Sequence, residues 1–459
     1  MLEKTDSTPN IVICGAGIAG ISTAYFLAVR QRVGRVLLID ERPPLSLTSD
    51  KSTECYRNWW PGPDGSMVAL MNRSIDLLED LADKSGNIFH LNRRGYLYLT
   101  ADESKVPGML REAQEISAFG AGPLRLYQGK PVDPIYQPAS PSDYRGQPDG
   151  ADLILDRELL MRHFPGLSEQ VVAGLHVRRA GWLSAQQLGS YLLDEARQAG
   201  VQILRGRVES VEMDAGQVRT VQLTDGTRIP TGHFVNAAGP LLKEVGRMLG
   251  VELPVFCELH QKVAFNDTMA ILPRHTPLLI WLDSQQLHWS EEERQLLIED
   301  PQTRWLTEEL PSSVHTRPEG EGESRYLLML WEYRAEVMDP VWPLPLDPYY
   351  PDVALRGLAA MLPGLRVYFD RAPRPRQDGG YYTKTRENRP LICPLPVKGT
   401  YVIGALSGYG VMAACAAGEL IAQYITESQL PEYAPAFALE RYQDPAYLVK
   451  FQSADKGQL

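Results

Sequence analysis

Short apolar runs and one amphipathic segment alternate along the first forty residues of the chain. Residues Asn10–Cys14 are mostly β-branched and end at a glycine, which predicts a buried strand. Apolar positions recur at helical spacing over Ile18–Arg30, and a second apolar run, Val36–Ile39, ends at Asp40. A strand, a helix and a second strand in this order predict a β-α-β unit with parallel strands.

Farther along, the pattern predicts helices over Ser66–Ser85 and Gln186–Gln198, followed by a β-meander. A strand is predicted at 201–205, and the strands of the meander are predicted at 208–213, 218–223 and 234–237. The pair Asp225-Gly226 marks a hairpin turn between two of them. From Leu253 to about Arg374, apolar strands alternate with polar stretches, which predicts a separate and largely antiparallel sheet.

The composition is that of an ordinary globular protein with an acidic balance. The chain has 459 residues, of which 44% are hydrophobic and 22% charged, and its formal net charge is −11. A surface this acidic repels phosphate backbones, so we expect no nucleic acid as the main partner. The length favours two domains over one.

The cysteines and the N-terminal segment indicate a cytoplasmic protein. Five cysteines are scattered without a CxxC pair or a histidine at zinc-site spacing, so we expect a reducing compartment and no metal. The first ten residues are mixed in charge, unlike the basic start of a signal peptide. The apolar run Ile11–Val29 is interrupted by three glycines, Ser22 and Thr23, so no membrane span is expected.

A glycine motif, Gly15-Ala16-Gly17-Ile18-Ala19-Gly20, lies where the first predicted strand meets the first helix. Gly15 allows a tight turn, Gly17 lets backbone approach a pyrophosphate, and Gly20 lets the helix pack close to the sheet. The positive end of the helix then faces the phosphates. Asp40 ends the second strand, where a carboxylate accepts ribose hydroxyls, and Glu41 is the alternative acid. This context predicts a dinucleotide site.

A second strand-to-helix turn, near the end of the chain, favours FAD over NAD. The predicted strand Thr400–Gly404 is followed by Ser407-Gly408-Tyr409-Gly410, which opens a helix of small residues through Ile425. An oxidised flavin gains negative charge when it accepts a hydride, and the N-terminal dipole of a helix stabilises that charge. We therefore predict a bound FAD.

The expected fold class is α/β, with a discontinuous, Rossmann-like FAD-binding domain and a second, mostly antiparallel β-sheet substrate domain that also contains helices. The predicted FAD-binding segments are 8–85, 150–252 and 375–430. The predicted substrate segments are 86–149 and 253–374, with 431–459 as a C-terminal extension. Within the substrate domain, we expect a surface helix over Ser290–Asp300 and an insertion over Pro301–Ser324.

The sequence resembles the D-amino-acid oxidase family of flavoenzymes, which includes glycine oxidase and monomeric sarcosine oxidase, over nearly its whole length. Besides the glycine motif, the strand at Val208 and four segments carry the resemblance. These are Gly181-Trp182-Leu183, Val235-Asn236-Ala237-Ala238-Gly239-Pro240, Pro390-Leu391-Ile392 and Ser407-Gly408-Tyr409-Gly410. The resemblance implies an FAD domain assembled from separated segments and a sheet domain over the flavin.

The resemblance also implies which residues bind the cofactor. It places the backbone of Val208 at the adenine and the loop from Thr48 to Trp60 beside the flavin. The other residues expected at the cofactor are Gly15, Gly17, Ile18, Ala19, Gly20, Asp40, Glu41, Ser49, Lys51, Ser52, Thr53, Ala238, Gly239, Gly404, Gly408, Tyr409, Gly410 and Val411. The family's covalent flavin cysteine falls at Gly380, so non-covalent FAD is expected.

Two residues resemble the family's substrate contacts. Arg57 looks like the arginine that grips a substrate carboxylate with two parallel hydrogen bonds, although it could instead anchor its own loop. Tyr382 falls where the family places a substrate-contacting tyrosine, and a core tyrosine is the alternative reading. Lys262, with His260, offers another cation. Two large rings, of Trp331 and Trp60, are expected either to wall a pocket or to pack in the core.

The chain departs from sarcosine oxidase at three positions. Met329 falls at the lysine credited with oxygen activation, Tyr333 at its histidine neighbour, and Met412 at a second carboxylate-binding lysine. These departures make sarcosine itself and fast reaction with oxygen doubtful. They leave open whether oxygen or another acceptor takes the electrons.

We therefore expect an FAD-dependent oxidoreductase that oxidises the C–N bond of an amino acid or N-alkylated amine and releases an imine. Oxidation of a 2-hydroxy acid or polyol phosphate is an alternative, for which a histidine base is needed and His260 is the candidate. A non-catalytic FAD-binding subunit is a further alternative.

Overall fold

The computed structural model of the protein describes residues 10–451 apart from 142, 321 and 323. Residues 8–9 of the predicted FAD-binding segment and residues 452–459 of the predicted extension lie outside the described residues, as do positions 321 and 323 of the predicted insertion.

Helices occur along the whole described chain. Their bounds are α1 Ile18–Tyr25, α2 Ser66–Ser85, α3 Val106–Ile116, α4 Arg157–His163, α5 Ala185–Gln198, α6 Leu242–Met248, α7 Glu291–Glu299, α8 Tyr350–Met361 and α9 Gly410–Ile425. The strands of the first half are β1 Ile11–Cys14, β2 Val36–Asp40, β3 Cys55–Arg57, β4 Tyr96–Thr100, β5 Leu124–Tyr127, β6 Ala151–Ile154, β7 Ala173–Val177, β8 Ala180–Trp182, β9 Gln202–Arg205, β10 Val208–Asp214, β11 Gln217–Leu223, β12 Arg228–Pro230 and β13 His233–Asn236. Those of the second half are β14 Phe256–Asn266, β15 Leu278–Trp281, β16 Gln285–Gln286, β17 Glu309–Leu310, β18 His315–Glu319, β19 Tyr326–Leu330, β20 Arg376–Lys384, β21 Leu391–Pro394 and β22 Thr400–Gly404.

The first of two large sheets contains the predicted β-α-β unit. Its strand order is β21-β22-β13-β1-β2-β9, and all neighbours except β21 and β22 are parallel. The N-terminal strand β1 therefore lies between β2 and β13, and β22 from the far end of the chain pairs with β13. This Rossmann-like sheet, built from distant segments, confirms the predicted fold class.

Both faces of the parallel sheet are buried, because its strands are apolar throughout. Side chains alternate along β1, so that Ile11 and Ile13 join one core cluster while Val12 and Cys14 join another. Helices α1, α5 and α9 contribute to the first cluster, and the meander β10-β11-β12 with α6 contributes to the second.

Helices α1 and α9 approach each other closely. The hydroxyl of Ser22 donates to the carbonyl of Ala414 at 2.7 Å, and a β-carbon at Gly418 would lie 2.6 Å from the Ser22 Oγ. The apolar residues of Ile11–Val29 are thus used in the core. None of the helices in the described ranges is both long and apolar enough to cross a membrane.

The second large sheet is mixed and mostly antiparallel, as predicted. Its order is β20-β14-β19-β18-β15-β4-β7-β6-β5, with parallel pairs only at β15–β4 and β5–β6. Strands β6, β7 and β20 belong to this sheet, although the predicted boundaries grouped their residues with the FAD-binding segments. The division into domains otherwise stays a prediction.

One strand of this sheet corrects the prediction of an insertion. The segment Pro301–Ser324 contains β18, which lies inside the sheet between β15 and β19. The predicted surface helix is present as α7, and Ser290 caps it together with Glu293 in a capping box.

Candidate active site

A cleft of about 1290 Å³, including its solvent-open part, runs along the parallel sheet where several strands end. It is lined by the turn between β1 and α1, the end of β2, the start of β10, the segment after β13 and the turn before α9. Most of the residues predicted at the cofactor line it. These are Gly15, Gly17, Ile18, Ala19, Asp40, Glu41, Ser49, Ser52, Val208, Ala238, Gly239, Gly404, Gly408, Gly410 and Val411.

The first glycine turn has the tight geometry that its sequence requires. Gly15 has a φ of 114°, and a β-carbon there would lie 2.3 Å from the carbonyl oxygen of Ala237. A β-carbon at Gly20 would lie 1.9 Å from the carbonyl oxygen of Gly15, so α1 packs against the turn itself. Gly20 therefore shapes the cleft from behind and does not line it.

Polar groups converge on the N-terminal end of α1. The backbone N–H of Ile18 donates to Ser49 Oγ at 3.0 Å, which brings the loop after β2 onto the helix start. The Asp40 carboxylate accepts the backbone N–H of Ala16 at 2.8 Å and that of Arg42 at 2.9 Å. The Glu41 carboxylate lies 3.8 Å from the Arg207 guanidinium. Both acids line the cleft, so the register between them stays open.

Hydrogen bonds from the Tyr409 side chain stabilise the second glycine turn, at residues 407–410. Its hydroxyl donates to the carbonyls of Asn388 at 3.1 Å and Ala405 at 3.2 Å, while the backbone N–H of Ser407 donates to Thr383 at 2.9 Å. Tyr409 itself lies outside the first cleft. The turn and the start of α9 are therefore positioned by strand β20 and the segment after it.

Two cations, the half-buried Lys262 and the buried Arg317, hold the loop that follows β2. Lys262 donates to the carbonyl of Ser52 at 2.9 Å, and Arg317 donates to that of Thr53 at 2.9 and 3.1 Å. Burial lowers the pKa of Lys262. Lys51 pairs with Asp50 at 2.6 Å and with Asp378 at 2.7 Å, and it lines neither the first cleft nor the cavity described next. Lys262 and Lys51 thus support the loop.

A second cavity of about 550 Å³, including its solvent-open part, adjoins the cleft and shares Tyr382 and Gly408 with it. It is lined by Thr53, Cys55, Arg57, Trp60, Tyr96, His260, Gln261, Leu278, His315, Leu330, Glu332, Tyr382, Gly408, Tyr409 and Met412. Of the four residues predicted to be catalytic, this cavity brings together Arg57 and Tyr382. Lys262 and Trp331 do not line it.

Arg57 is buried at the edge of β3 with aromatic rings around its guanidinium group. Its Nε donates to the carbonyl of Trp59 at 3.0 Å, and its Cζ lies 4.6 Å from the Trp60 ring centre and 5.6 Å from that of Tyr96. Aromatic faces stabilise a guanidinium charge. Pairing of β3 with β8, Arg57 opposite Ala180, fixes the strand that carries it.

His260 is clamped between two carboxylates. Its Nε2 lies 3.1 Å from Glu258, its Nδ1 contacts Glu332, and Lys384 pairs with Glu258 at 2.8 Å. Burial alone lowers the pKa of His260, but Glu332 and Glu258 outweigh it, so the net effect raises the pKa. The imidazole also stacks on Tyr382, with ring centres 3.9 Å apart. Burial raises the pKa of Tyr382, which keeps its phenol protonated.

His315 lines the same cavity, and sequence reasoning missed it. Its Nδ1 lies 2.8 Å from the carbonyl of Ser313, and burial lowers the pKa of its imidazole. Glu332 and Tyr96 were missed as well. The only sequence signal for Glu332 is its place two residues after Leu330, because alternate residues of an extended chain face one side.

The same alternation turns Trp331 away from the cavity. Its indole N–H donates to the carbonyls of Pro311 and Ser312, each at 3.1 Å, and a β-carbon at Gly357 of α8 would lie 2.3 Å from its ring. Trp331 is thus a core residue. Trp60 lines the cavity, as does Met412, whereas Met329 and Tyr333 do not.

The first cleft fits an FAD by its shape and its donors. The turn at Gly15 leaves a cradle that any β-carbon would fill, beside the positive end of α1. A second helix start, that of α9, lines the cleft through Gly410 and Val411. The cleft therefore offers both features that the sequence predicted for FAD.

Comparison with known proteins agrees with this geometry. The family model DAO, described as FAD dependent oxidoreductase, matches residues 10–424. The solved structure of L-proline dehydrogenase from P. horikoshii has a TM-score of 0.73 and 20% identity, covering 95% of this chain and 98% of that one. Glycine oxidase from Geobacillus kaustophilus gives 0.69 and 17%, covering 95% and 99%. At these identities the likeness shows a common fold.

A curated relative is mitochondrial dimethylglycine dehydrogenase of Homo sapiens, 24% identical over 311 residues. The match covers 65% of this chain and 32% of the human protein, so the chain spans about a third of that relative's length. The family model, in contrast, extends over most of this chain. The chain therefore belongs to the DAO family of FAD-dependent oxidoreductases, and its two glycine turns agree with that membership.

Proposed function

We propose that the protein oxidises the C–N bond of a small amino acid or N-alkylated amine that carries a carboxylate. The observation that carries the proposal is the 550 Å³ cavity, which contains a buried arginine and shares Tyr382 and Gly408 with the cofactor cleft. A substrate in this cavity lies directly beside the shared wall. Similarity to dimethylglycine dehydrogenase and to sarcosine dehydrogenase of Mus musculus supports this substrate class.

Arg57 is proposed to bind the substrate carboxylate. Arg57 lines the cavity and is 3% exposed as a residue, so its charge lies in a largely buried environment. A guanidinium donates two parallel hydrogen bonds to a carboxylate, and such charge-assisted bonds are stronger in a dry site. Carboxylate binding at one fixed point orients the neighbouring carbon and nitrogen atoms.

Tyr382 and the clamped His260 are proposed to form one wall of the substrate site. The stacked rings keep each other in place, because Glu258 and Glu332 hold His260 from both edges. A protonated His260 offsets the charge of the Glu332 carboxylate, which lines the same cavity as Arg57. Trp60 and Tyr96 add aromatic surface to the lining of the cavity.

The cofactor is proposed to bind non-covalently through Asp40 or Glu41, Ser49, Val208 and the turn at Gly408. When bound, FAD supplies the two-electron acceptor for the C–H bond next to nitrogen, which leaves an imine for hydrolysis. At Gly380, where the family's covalent cysteine falls, a β-carbon would lie 2.9 Å from the Lys51 Cβ. A side chain therefore has no room there without movement of the loop.

Anaerobic bleaching of the yellow holoprotein tests the proposal. Carboxylated primary and N-methyl amines should bleach the flavin, whereas 2-hydroxy acids should not. Bleaching by 2-hydroxy acids alone would establish the rival oxidation, and no bleaching by any compound would favour a non-catalytic subunit. His260, the base named for that rival from the sequence, has carboxylates at both ring nitrogens.

Replacement of Arg57 by lysine tests the carboxylate site. The substitution keeps a charge and removes the fork, so KM for carboxylated amines should rise about 10- to 100-fold, which corresponds to about 1.5–3 kcal/mol. FAD content should stay unchanged. Loss of the yellow colour would instead show that Arg57 serves the cofactor. The electron acceptor and the cytoplasmic location stay predictions from the sequence.

A further inference from the structure

We propose that Nε2 of His315 accepts the proton that a substrate ammonium group must lose before its C–H bond is oxidised. The inference rests on the proposed amine oxidation and adds a catalytic base to it. The hydrogen bond between His315 Nδ1 and the Ser313 carbonyl, on the opposite edge of the imidazole ring, supports this role.

The tautomer of His315 follows from its partner. The Ser313 carbonyl, 2.8 Å from Nδ1, can only accept a hydrogen bond, so Nδ1 must carry the proton. In a neutral imidazole, Nε2 then presents a lone pair. Within the described ranges, no side chain or backbone group pairs with Nε2. His315 lines the cavity, so this lone pair is the basic atom available to a ligand there.

The surroundings keep His315 neutral until a proton arrives. The ring is buried among the sheet strands, and burial lowers its pKa. Arg57 and His260 act in the same direction, while the hydrogen bond to Ser313 and the Glu332 charge oppose them without reversing the net effect. The titratable groups that share its cavity come from β3, β4, β14, β20 and the segment after β19. They are Cys55, Arg57, Tyr96, His260, Glu332, Tyr382 and Tyr409, the last preceding α9.

His315 has the free basic edge that His260 lacks. Carboxylates occupy both ring edges of His260, so it can hold a charge but cannot take a proton from a substrate. The two histidines therefore divide the work, with His260 as a fixed cation and His315 as a base. Neither role needs the lysine that the chain lacks at Met329.

The geometry places the base and the ammonium group in one cavity. An α-amino acid carries its nitrogen two bonds from the carboxylate carbon, so a carboxylate held at Arg57 keeps the nitrogen in the 550 Å³ space that His315 lines. The Arg57 guanidinium in the same cavity also favours the neutral form of the bound ammonium group. In the step, one N–H bond breaks, an Nε2–H bond forms, and the electron pair stays on nitrogen as its lone pair.

The test compares the pH dependence of anaerobic flavin bleaching in the wild-type holoprotein and in His315→Asn. The asparagine amide can still donate to the Ser313 carbonyl, but it lacks the basic nitrogen. With an amino acid at low concentration, the wild-type second-order rate constant should change little between pH 6.5 and 8.5. In the variant it should rise about 100-fold, because the fraction of free amine grows tenfold per pH unit below the ammonium pKa.

Further measurements separate a base from a structural residue. Added imidazole should accelerate bleaching of His315→Asn at pH 6.5, and FAD content and thermal midpoint should match wild type. His233→Asn is the control, since burial also lowers the pKa of His233 but it lies outside both cavities. Equal pH profiles for wild type and His315→Asn would overturn the inference. Failure of wild type to be bleached by any amine would overturn the proposed function instead.

Discussion

Tyr382 lies so close to Gly408 that a β-carbon at position 408 would stand 2.4 Å from its Cε2 and 3.0 Å from its Cζ. The tyrosine belongs to β20 of the mixed sheet, and the glycine belongs to the turn before α9 on the parallel sheet. Both residues line both cavities. The close packing of Tyr382 against the turn, at the junction of the cofactor cleft and the proposed substrate site, therefore requires a residue without a β-carbon at position 408.

Gly408→Ala should displace the Tyr382 ring and destabilise the protein. Overpacking of this kind costs about 1–3 kcal/mol in free energy of unfolding. The flavin absorption spectrum should shift, since the ring forms the shared wall. Denaturant titration and visible spectra check both effects. Gly34→Ala is the control, because a β-carbon there meets no atom within 4 Å. An unchanged spectrum and stability in Gly408→Ala would contradict the assigned contact.

Asp40→Ala and Glu41→Ala decide which acid serves the cofactor. Asp40 already orders the turn by accepting the Ala16 and Arg42 backbone N–H groups, so its loss should weaken FAD binding about 10- to 100-fold. Glu41→Ala should weaken binding far less. Titration of the apoprotein with FAD measures both dissociation constants, and the reverse order would assign the ribose to Glu41. Substrate preference should be the same in both variants.

Lys262→Met should loosen the loop over residues 48–54 without changing substrate preference. It leaves the buried Ser52 carbonyl without its 2.9 Å donor, at a cost of about 1–3 kcal/mol in free energy of unfolding. The loop should then exchange its amide hydrogens faster. Lys398→Met, at an exposed lysine, is the matched control. A change in the amine preferred by Lys262→Met would show that the lysine contacts substrate after all.

Ionisation of Glu258 should make the free energy of unfolding fall as the pH is lowered through the acid range. Burial alone raises its pKa, but hydrogen bonds from His260 and Lys384 prevail and lower the pKa from 4.5 to about 2. A depressed carboxyl pKa contributes stability above pH 4.5, and that contribution is lost as pH falls towards 2. The shift corresponds to roughly 3 kcal/mol at neutral pH.

Glu258→Gln should therefore flatten the free energy of unfolding between pH 4.5 and 2, measured by urea titration. Glu432→Gln, at an exposed carboxylate, should keep the wild-type slope. His260 acts oppositely, because its pKa is raised and its contribution is lost as pH rises through that raised pKa. Equal slopes for Glu258→Gln and wild type would refute the clamp as a stabilising unit.

The parts of the fold that depend on local backbone needs could be predicted from the sequence. Gly15 directly follows β1 and Asp40 ends β2. The roles of both residues depend only on their positions within the β-α-β unit, which the sequence pattern shows. Strand β18 could not be predicted, because His315-Thr-Arg-Pro-Glu319 has too few apolar residues to suggest a buried strand. Its burial depends on the Thr53 carbonyl, which satisfies Arg317 from 264 residues away.

The substrate side depends on strand register, which sequence alone specifies weakly. Leu330 and Glu332 line the cavity while Trp331 turns to α8, and a slip of one residue would exchange them. The sequence made the large ring of Trp331 a candidate for the pocket wall, but the strand register places its neighbours Leu330 and Glu332 there instead. The position of His315 likewise depends on the pairing of β18 with β15 on one side and β19 on the other, which the sequence does not specify.

The pairing of β13 with β22 has a consequence for biosynthesis. Until residues 400–425 leave the ribosome, the nascent chain exposes one edge of β13 and the apolar face of α1, which α9 later covers. An open parallel edge of this kind invites association with other chains. Capture of the flavin must then wait until these residues have been synthesised, and termination before residue 400 should yield a colourless, aggregation-prone product.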